Sequence, residues 1–84
     1  MTREDIYAAI DAERARQTRK WAAPHAWGQG DASSDQVESI VKVAVLAEEV
    51  GEVSRAVLDY AHPEQLRTEL VQVAAVAVAW LESM

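Results

Sequence analysis

Residues 69–82 read ELVQVAAVAVAWLE. Between Leu70 and Leu81 the only polar side chain is Gln72, and a helix that is apolar on every side is one with neighbours on every side. The alanine content and the length of the run favour helix over strand. The unbroken apolar stretch from Val73 to Leu81 is nine residues, about half of what a membrane span needs, so it has to be buried in protein. Pro63 suits a first helical turn, which places this element at about 63–82.

Upstream, Asp35 with Glu38 has the form of a capping box and predicts a second helix over about 35–60, ended by the Ala61-His62-Pro63 step. At 100° per residue, Ile40, Val43, Ala47, Val50, Val53, Val57 and Leu58 share one broad side, the side expected to pack. The remaining arc, roughly 140° wide, carries Glu48, Glu49, Glu52 and Asp59 with Lys42 and Arg55 at its flanks. Thr2 with Asp5 forms a second capping-box pattern and predicts a first helix over 3–20. The apolar stripe of that helix begins with Tyr7 and Ile10 but continues through Arg14, Gln17 and Trp21, so its second half turns polar groups inward or towards a cleft. Residues 21–34, WAAPHAWGQGDASS, hold Pro24, Gly28, Gly30 and Asp31 without helical or strand periodicity. They read as a loop, and loops of this length in small domains are often functional.

The expected fold is therefore all-α, a single domain over 1–84. Half of the residues are hydrophobic and none is cysteine, so no disulfide supplements the small core that so short a chain can build. Two helices cannot surround the third, which predicts a three-helix protomer completed by oligomerisation, as a homodimer or dimer of dimers. The net charge of −6 opposes broad attachment to a nucleic-acid polymer or an anionic membrane. A phosphate-bearing ligand would need a cation between it and the protein. The charged N-terminal residues have no apolar leader character, so the expected compartment is the cytoplasm.

Chemistry concentrates on two helices. Glu49 and Glu52 on the second, and Glu69 and Gln72 on the third, have the same i, i+3 spacing. On adjacent antiparallel helices they would bring three carboxylates and an amide oxygen to one point, as metal sites inside helical bundles do. An all-oxygen shell suits Mg²⁺ or Mn²⁺ and disfavours zinc. The competing reading is a solvated acidic face, with Gln72 an ordinary core amide. Glu69 and Gln72, lying at and within an apolar run, argue for the first.

These residues carry a resemblance. LAEEVGEVSRAV (46–57) followed by ELVQ (69–72) is similar to the E-E-x-x-E … E-x-x-D signature of the MazG-like, all-α nucleoside triphosphate pyrophosphohydrolases, and RQTRKW (16–21) resembles a segment of its short phage and bacterial members. The likeness spans roughly 13–82. It implies a Mg²⁺ ion (Mn²⁺ is the alternative) held by Glu49, Glu52 and Glu69, with Gln72 standing where the family has an Asp. It also implies hydrolysis of a nucleoside triphosphate to monophosphate and pyrophosphate, by a water that Glu48 or Glu49 orients towards the α-phosphorus. Gln72 departs from the pattern and removes one negative charge from the site. Lys20 and Lys42, the only lysines, are the candidate phosphate contacts, or else surface salt-bridge partners. Trp21 and Trp27 either stack on a base or anchor the core. His25 reads as an exposed loop histidine. Two other expectations stand beside the enzyme: a catalytically weak nucleotide-binding or sensing protein of the same fold, and a non-enzymatic helical interaction module.

Overall fold

Thr2 opens the first helix with the reciprocal pair of bonds its sequence predicts. Its Oγ1 accepts from the Asp5 N–H and Asp5 Oδ2 accepts from the Thr2 N–H, both at 3.1 Å. The computed structural model describes all 84 residues and contains three helices, α1 (Arg3–Lys20), α2 (Ser39–Leu58) and α3 (Pro63–Glu82). Pro63 takes the first turn of α3. No helix is long and apolar enough to cross a membrane.

The second helix starts later than the capping pattern at Asp35 predicts. Its N-cap is Glu38, without a side-chain bond, and residues 35–38 extend the loop. Continued as helix, this segment would carry Val37 to the exposed arc beside Arg55. Leaving the helix lets Val37 drop into the interior, where it is 3% exposed. Beneath it, Gly28 has φ +129°, and a Cβ there would lie 2.8 Å from the Gln36 carbonyl oxygen, so only glycine permits this approach.

α2 also ends sooner than position 60. Asp59 caps it, and Tyr60 follows in the left-handed region with φ 51°, the sole non-glycine residue there. The Ala61 N–H then reaches back to the Ala56 carbonyl at 2.9 Å, a Schellman closure that ordinarily uses glycine. Because Tyr60 is 94% exposed and packs on little, Tyr60→Gly is expected to stabilise the protein by roughly 0.5–1 kcal/mol. A thermal melt checks this, with a rise of about 2–8 °C expected for a domain of this size.

α3 lies in the middle. α1 and α2 each pack against it, their own backbones staying more than 8 Å apart, and the loop covers the trough between them. The buried apolar residues are small: Ala32 and Val37 from the loop, Ala56 from α2, and Ala75, Val76 and Ala79 from α3. No large apolar side chain is fully buried.

One expectation is overturned on α2. The side read as its packing face is open: Ile40, Val43, Val50, Val57 and Leu58 are all exposed, with Ile40 and Leu58 at 71%. Instead the arc bearing Lys42, Glu49 and Ala56 meets the protein. Periodicity identifies an apolar face but not whether the same chain covers it. On α3 the uncovered remainder is narrower than predicted, chiefly Leu70 and Leu81, because α1, α2 and the loop occupy its other sides. The main bare surface is therefore on α2.

Candidate functional site

The polar stripe of α1 explains how the site is held together. Arg14 and Gln17 are buried. Arg14 Nη1 donates to Gln17 Oε1 at 3.0 Å and to Asp31 Oδ2 at 2.8 Å, while Nη2 donates to Glu82 Oε2 at 2.8 Å. One guanidinium thus ties α1 to the loop and to the end of α3. Asp31 is further fastened by the Ser33 N–H and hydroxyl on Oδ1, at 2.9 and 2.6 Å, and by the Thr18 hydroxyl on Oδ2. Burial by itself would raise the Asp31 carboxyl, but the bonds from Ser33 and Arg14 outweigh it and leave it below the usual carboxylate range. The hydrogen-bonded partners Glu82 and Asp31, against the opposing effect of burial, hold Arg14 firmly charged.

This clamp fixes the loop over a cavity of about 270 Å³ between α1 and α2, floored by Val76 of α3. That is near the lower end of small-ligand pockets, roughly 300–1,000 Å³. Lys20, Trp21, Trp27, Glu48 and Glu49, all singled out from the sequence, line it. Arg16, Gln17 and Asp31 line it too. At its aromatic end Trp21 and Trp27 lie 4.5 Å apart between ring centroids, and His25 packs edge-on to both, at 5.0 and 4.5 Å. His25 is therefore half-buried, not exposed as predicted. Its Nε2 is 2.8 Å from the Gly30 carbonyl, which requires the proton on that nitrogen, and Nδ1 is buried without a partner. Lys20 Nζ sits 5.1 Å over the Trp21 ring, a cation–π contact that keeps the amine beside the cavity.

At the other end stand the acids. Glu49 has its carboxyl above the ordinary range, first because it is partly buried and then because Glu48, Glu69, Glu13 and Glu52 surround it with like charge. With the Gln72 amide nitrogen facing the carboxylates, the orientation its surroundings demand, Nε2 donates to Glu69 Oε2 at 2.9 Å and to Glu49 Oε2 at 3.2 Å. Gln65 Nε2 donates to the other Glu69 oxygen at 2.6 Å. Gln72 therefore links α2 to α3 as a donor, where the sequence reading had it as an oxygen ligand. Glu52 is exposed one turn further along α2, and no three carboxylate or imidazole groups converge closely enough to grip one ion as the side chains stand.

Lys42 takes no part in this cavity. It is 4% exposed and its Nζ donates to Ser83 Oγ at 2.8 Å, so its charge serves the C-terminal end of α3. Placing it above Glu49 by two turns of helix was sound, but the packing of α3 closes over it. Conversely, Glu13 and Arg16 were missed. Arg16 grips Glu13 with two bonds of 2.7 and 2.6 Å, which hold the Glu13 carboxyl below its usual range. Their i, i+3 spacing is that of any surface pair, and only the crossing of α1 over α3 puts them beside Glu49.

Compared with known protein families, curated proteins and solved structures, the chain matches none.

Proposed function

We propose that the protein is a divalent-cation-dependent nucleoside triphosphate pyrophosphohydrolase that releases pyrophosphate and a nucleoside monophosphate. The observation that carries this reading is the content of a single cavity: an aromatic pair (Trp21, Trp27), two cations (Lys20, Arg16) and, besides the Arg14-bound Asp31, two carboxylates (Glu48, Glu49). A nucleotide has a base for the first, phosphate oxygens for the second, and an electrophilic phosphorus that needs a proton acceptor near by for the third.

The donor set fits a hard cation. Burial first, and then the like charge of Glu48, Glu69, Glu13 and Glu52, raise the Glu49 carboxyl, and Mg²⁺ or Mn²⁺ takes oxygen donors of this kind. Glu49, Glu52 and Glu69 would hold it, with the Gln72 amide turned to present its oxygen. When bound, the ion would neutralise charge developing on the phosphates. The chain's own residues do the rest. Trp21 and Trp27 hold the base, Lys20 and Arg16 hold phosphate oxygens, and the carboxylate of Glu48 or Glu49 orients a water and takes its proton. The raised proton affinity of Glu49 brings it towards the range of a working base.

The test is to incubate the purified protein with a panel of nucleoside and deoxynucleoside triphosphates and Mg²⁺ or Mn²⁺, and to follow pyrophosphate and monophosphate together. Equal release of both supports the reading; no release from any triphosphate refutes it. A second reading, a nucleotide binder without turnover, draws on the Gln72 bonds, which occupy Glu49 and Glu69 with a neutral amide. Gln72→Asp separates the two roles of this residue. It is expected to strengthen Mg²⁺ binding by about tenfold, near the lower end of the effects of changing a metal's surroundings. Calorimetry showing unchanged or weaker affinity would remove Gln72 from the shell.

A further inference from the structure

A second groove runs between α1 and α3 and meets the cavity only at Arg16, which lines both. Its wider part, about 540 Å³, is lined by Ala9, Ala12 and Val71 and by three arginines, Arg16, Arg19 and Arg67. Arg67 and Val71 carry it on into a narrower part of about 200 Å³, where Ile6, Ile10, Leu70 and Ala74 leave Arg67 as the sole polar residue. One end is therefore cationic and the other apolar.

The cations of this groove are free to bind. Of the eight basic residues in the chain, Arg14 and Lys42 are buried in contacts within the fold, and Arg16 and Arg55 pair with Glu13 and Asp59 along their own helices. Arg19 and Arg67 are exposed, come from different helices and pair with no acid. Glu13 is the only acid in the groove, so three positive charges stand there against one negative, in a chain whose net charge is −6. The apolar end is equally accessible, with Ile6 40% and Leu70 51% exposed.

We infer that this groove is a docking site for an acidic amphipathic helix of another protein, with apolar side chains seated among Ile6, Ile10 and Leu70 and carboxylates on Arg19 and Arg67. The two ends together choose this occupant. A nucleic acid or an inorganic polyphosphate would use the arginines and leave the apolar end in water. A fatty acid offers one headgroup to several arginines, and small-molecule sites enclose about 70–90% of their ligand, whereas this groove lies open along its length. A helix laid in a groove has to bury only one face. Ile6 and Arg19 are about 20 Å apart along α1, the length of a helix of about 13 residues. Its carboxylates can meet the guanidinium groups as planar pairs with two bonds each, and they are drawn to the one part of an acidic chain where positive charge prevails.

The probe is a synthetic alanine-based helix of about 20 residues, long enough to hold its shape in water, with leucines at i, i+3 and i+7 and glutamates beside them. A twin peptide has glutamine in place of every glutamate. Titrated into the isotope-labelled full chain, the acidic peptide is expected to shift the amide resonances of Ala12, Arg19, Arg67 and Val71 and to leave those of Val43 and Val50 on α2 in place. The glutamine twin should bind at least about tenfold more weakly. Arg19→Gln combined with Arg67→Gln should weaken the acidic peptide by a similar factor, through the loss of two arginine–carboxylate pairs. Circular dichroism should stay unchanged, because both side chains are exposed. Equal binding of the two peptides, no binding of the acidic one at about 1 mM, or shifts confined to α2 would overturn the inference. So would shifts in the groove produced by oleate, or by concentrating the chain alone, when the peptide leaves those resonances unmoved; the groove would then belong to a lipid or to a second copy. These readouts require no nucleotide and no turnover.

Discussion

Replacing Arg14 with methionine is expected to destabilise the protein by about 3–5 kcal/mol, the usual cost of stripping one partner from a buried ion pair. Its side chain is 9% exposed and that of Asp31 6%, so the removed charge leaves a carboxylate that water reaches poorly. Glu82, at 48%, can hydrate and suffers less. In a small domain whose whole stability is near the low end of about 5–15 kcal/mol, the thermal midpoint should fall by about 12–40 °C. The pH dependence gives the mechanism away. The folded protein holds the Asp31 carboxyl below its ordinary value of 3.8, so this contribution is full above that pH and is lost as the pH falls through the folded value. In Arg14→Met the unpaired Asp31 is costly only while ionised. The difference between the two proteins should therefore shrink as the pH drops below about 4. A constant difference down to pH 2 would mean that the loss comes from packing of the Arg14 stem. Asp31→Asn in the Arg14→Met background should recover part of the stability, since it removes the orphaned charge.

Glu49→Gln is expected to abolish pyrophosphate release, by at least about 10²-fold, the lower range of a lost general base, while making the metal-free protein more stable. The two signs follow from one environment. Burial and four neighbouring acids raise the Glu49 carboxyl. A raised carboxyl contributes stability that is present at pH below its unfolded value and is lost as the pH rises through the folded one. At neutral pH the ionised side chain is a cost, and glutamine removes it without changing the shape. A gain of a few degrees in the melt without metal is expected, and it should vanish below about pH 4, where the wild-type side chain is protonated. Added Mg²⁺ should raise the midpoint of the wild type according to its affinity and that of the variant much less. Lost activity together with a lower melting point would instead make Glu49 a structural residue. A gain in stability on loss of function is what residues held in an unfavourable electrostatic setting for their chemistry produce.

How much of the site was legible in advance depends on the kind of signal. Glu48 and Glu49 could be named because helical periodicity puts them on one arc, and Glu69 and Gln72 because a polar residue in an apolar run needs a partner. Trp21 lines the cavity at the end of α1, as continuation of its stripe predicts. Asp31 gave no such sign. It is one acid in a loop rich in small polar residues, and its role exists only because Arg14, 17 positions earlier, reaches it through space. Lys42 was misassigned for the complementary reason: its place on the helix was right, but the end of α3 covers it.

By itself the sequence determines the three helices, because the Thr2–Asp5 capping box, Pro63 and the 3.6-residue period act within a few neighbours along the chain. It also determines that α2 has one apolar and one charged side. Only the tertiary structure decides which side faces in. That choice is set by which helix α3 lies beside and by the loop that Arg14 and Asp31 pin over the trough, contacts between residues far apart in sequence. The outcome leaves the charged side of α2 lining a cavity and its apolar side exposed.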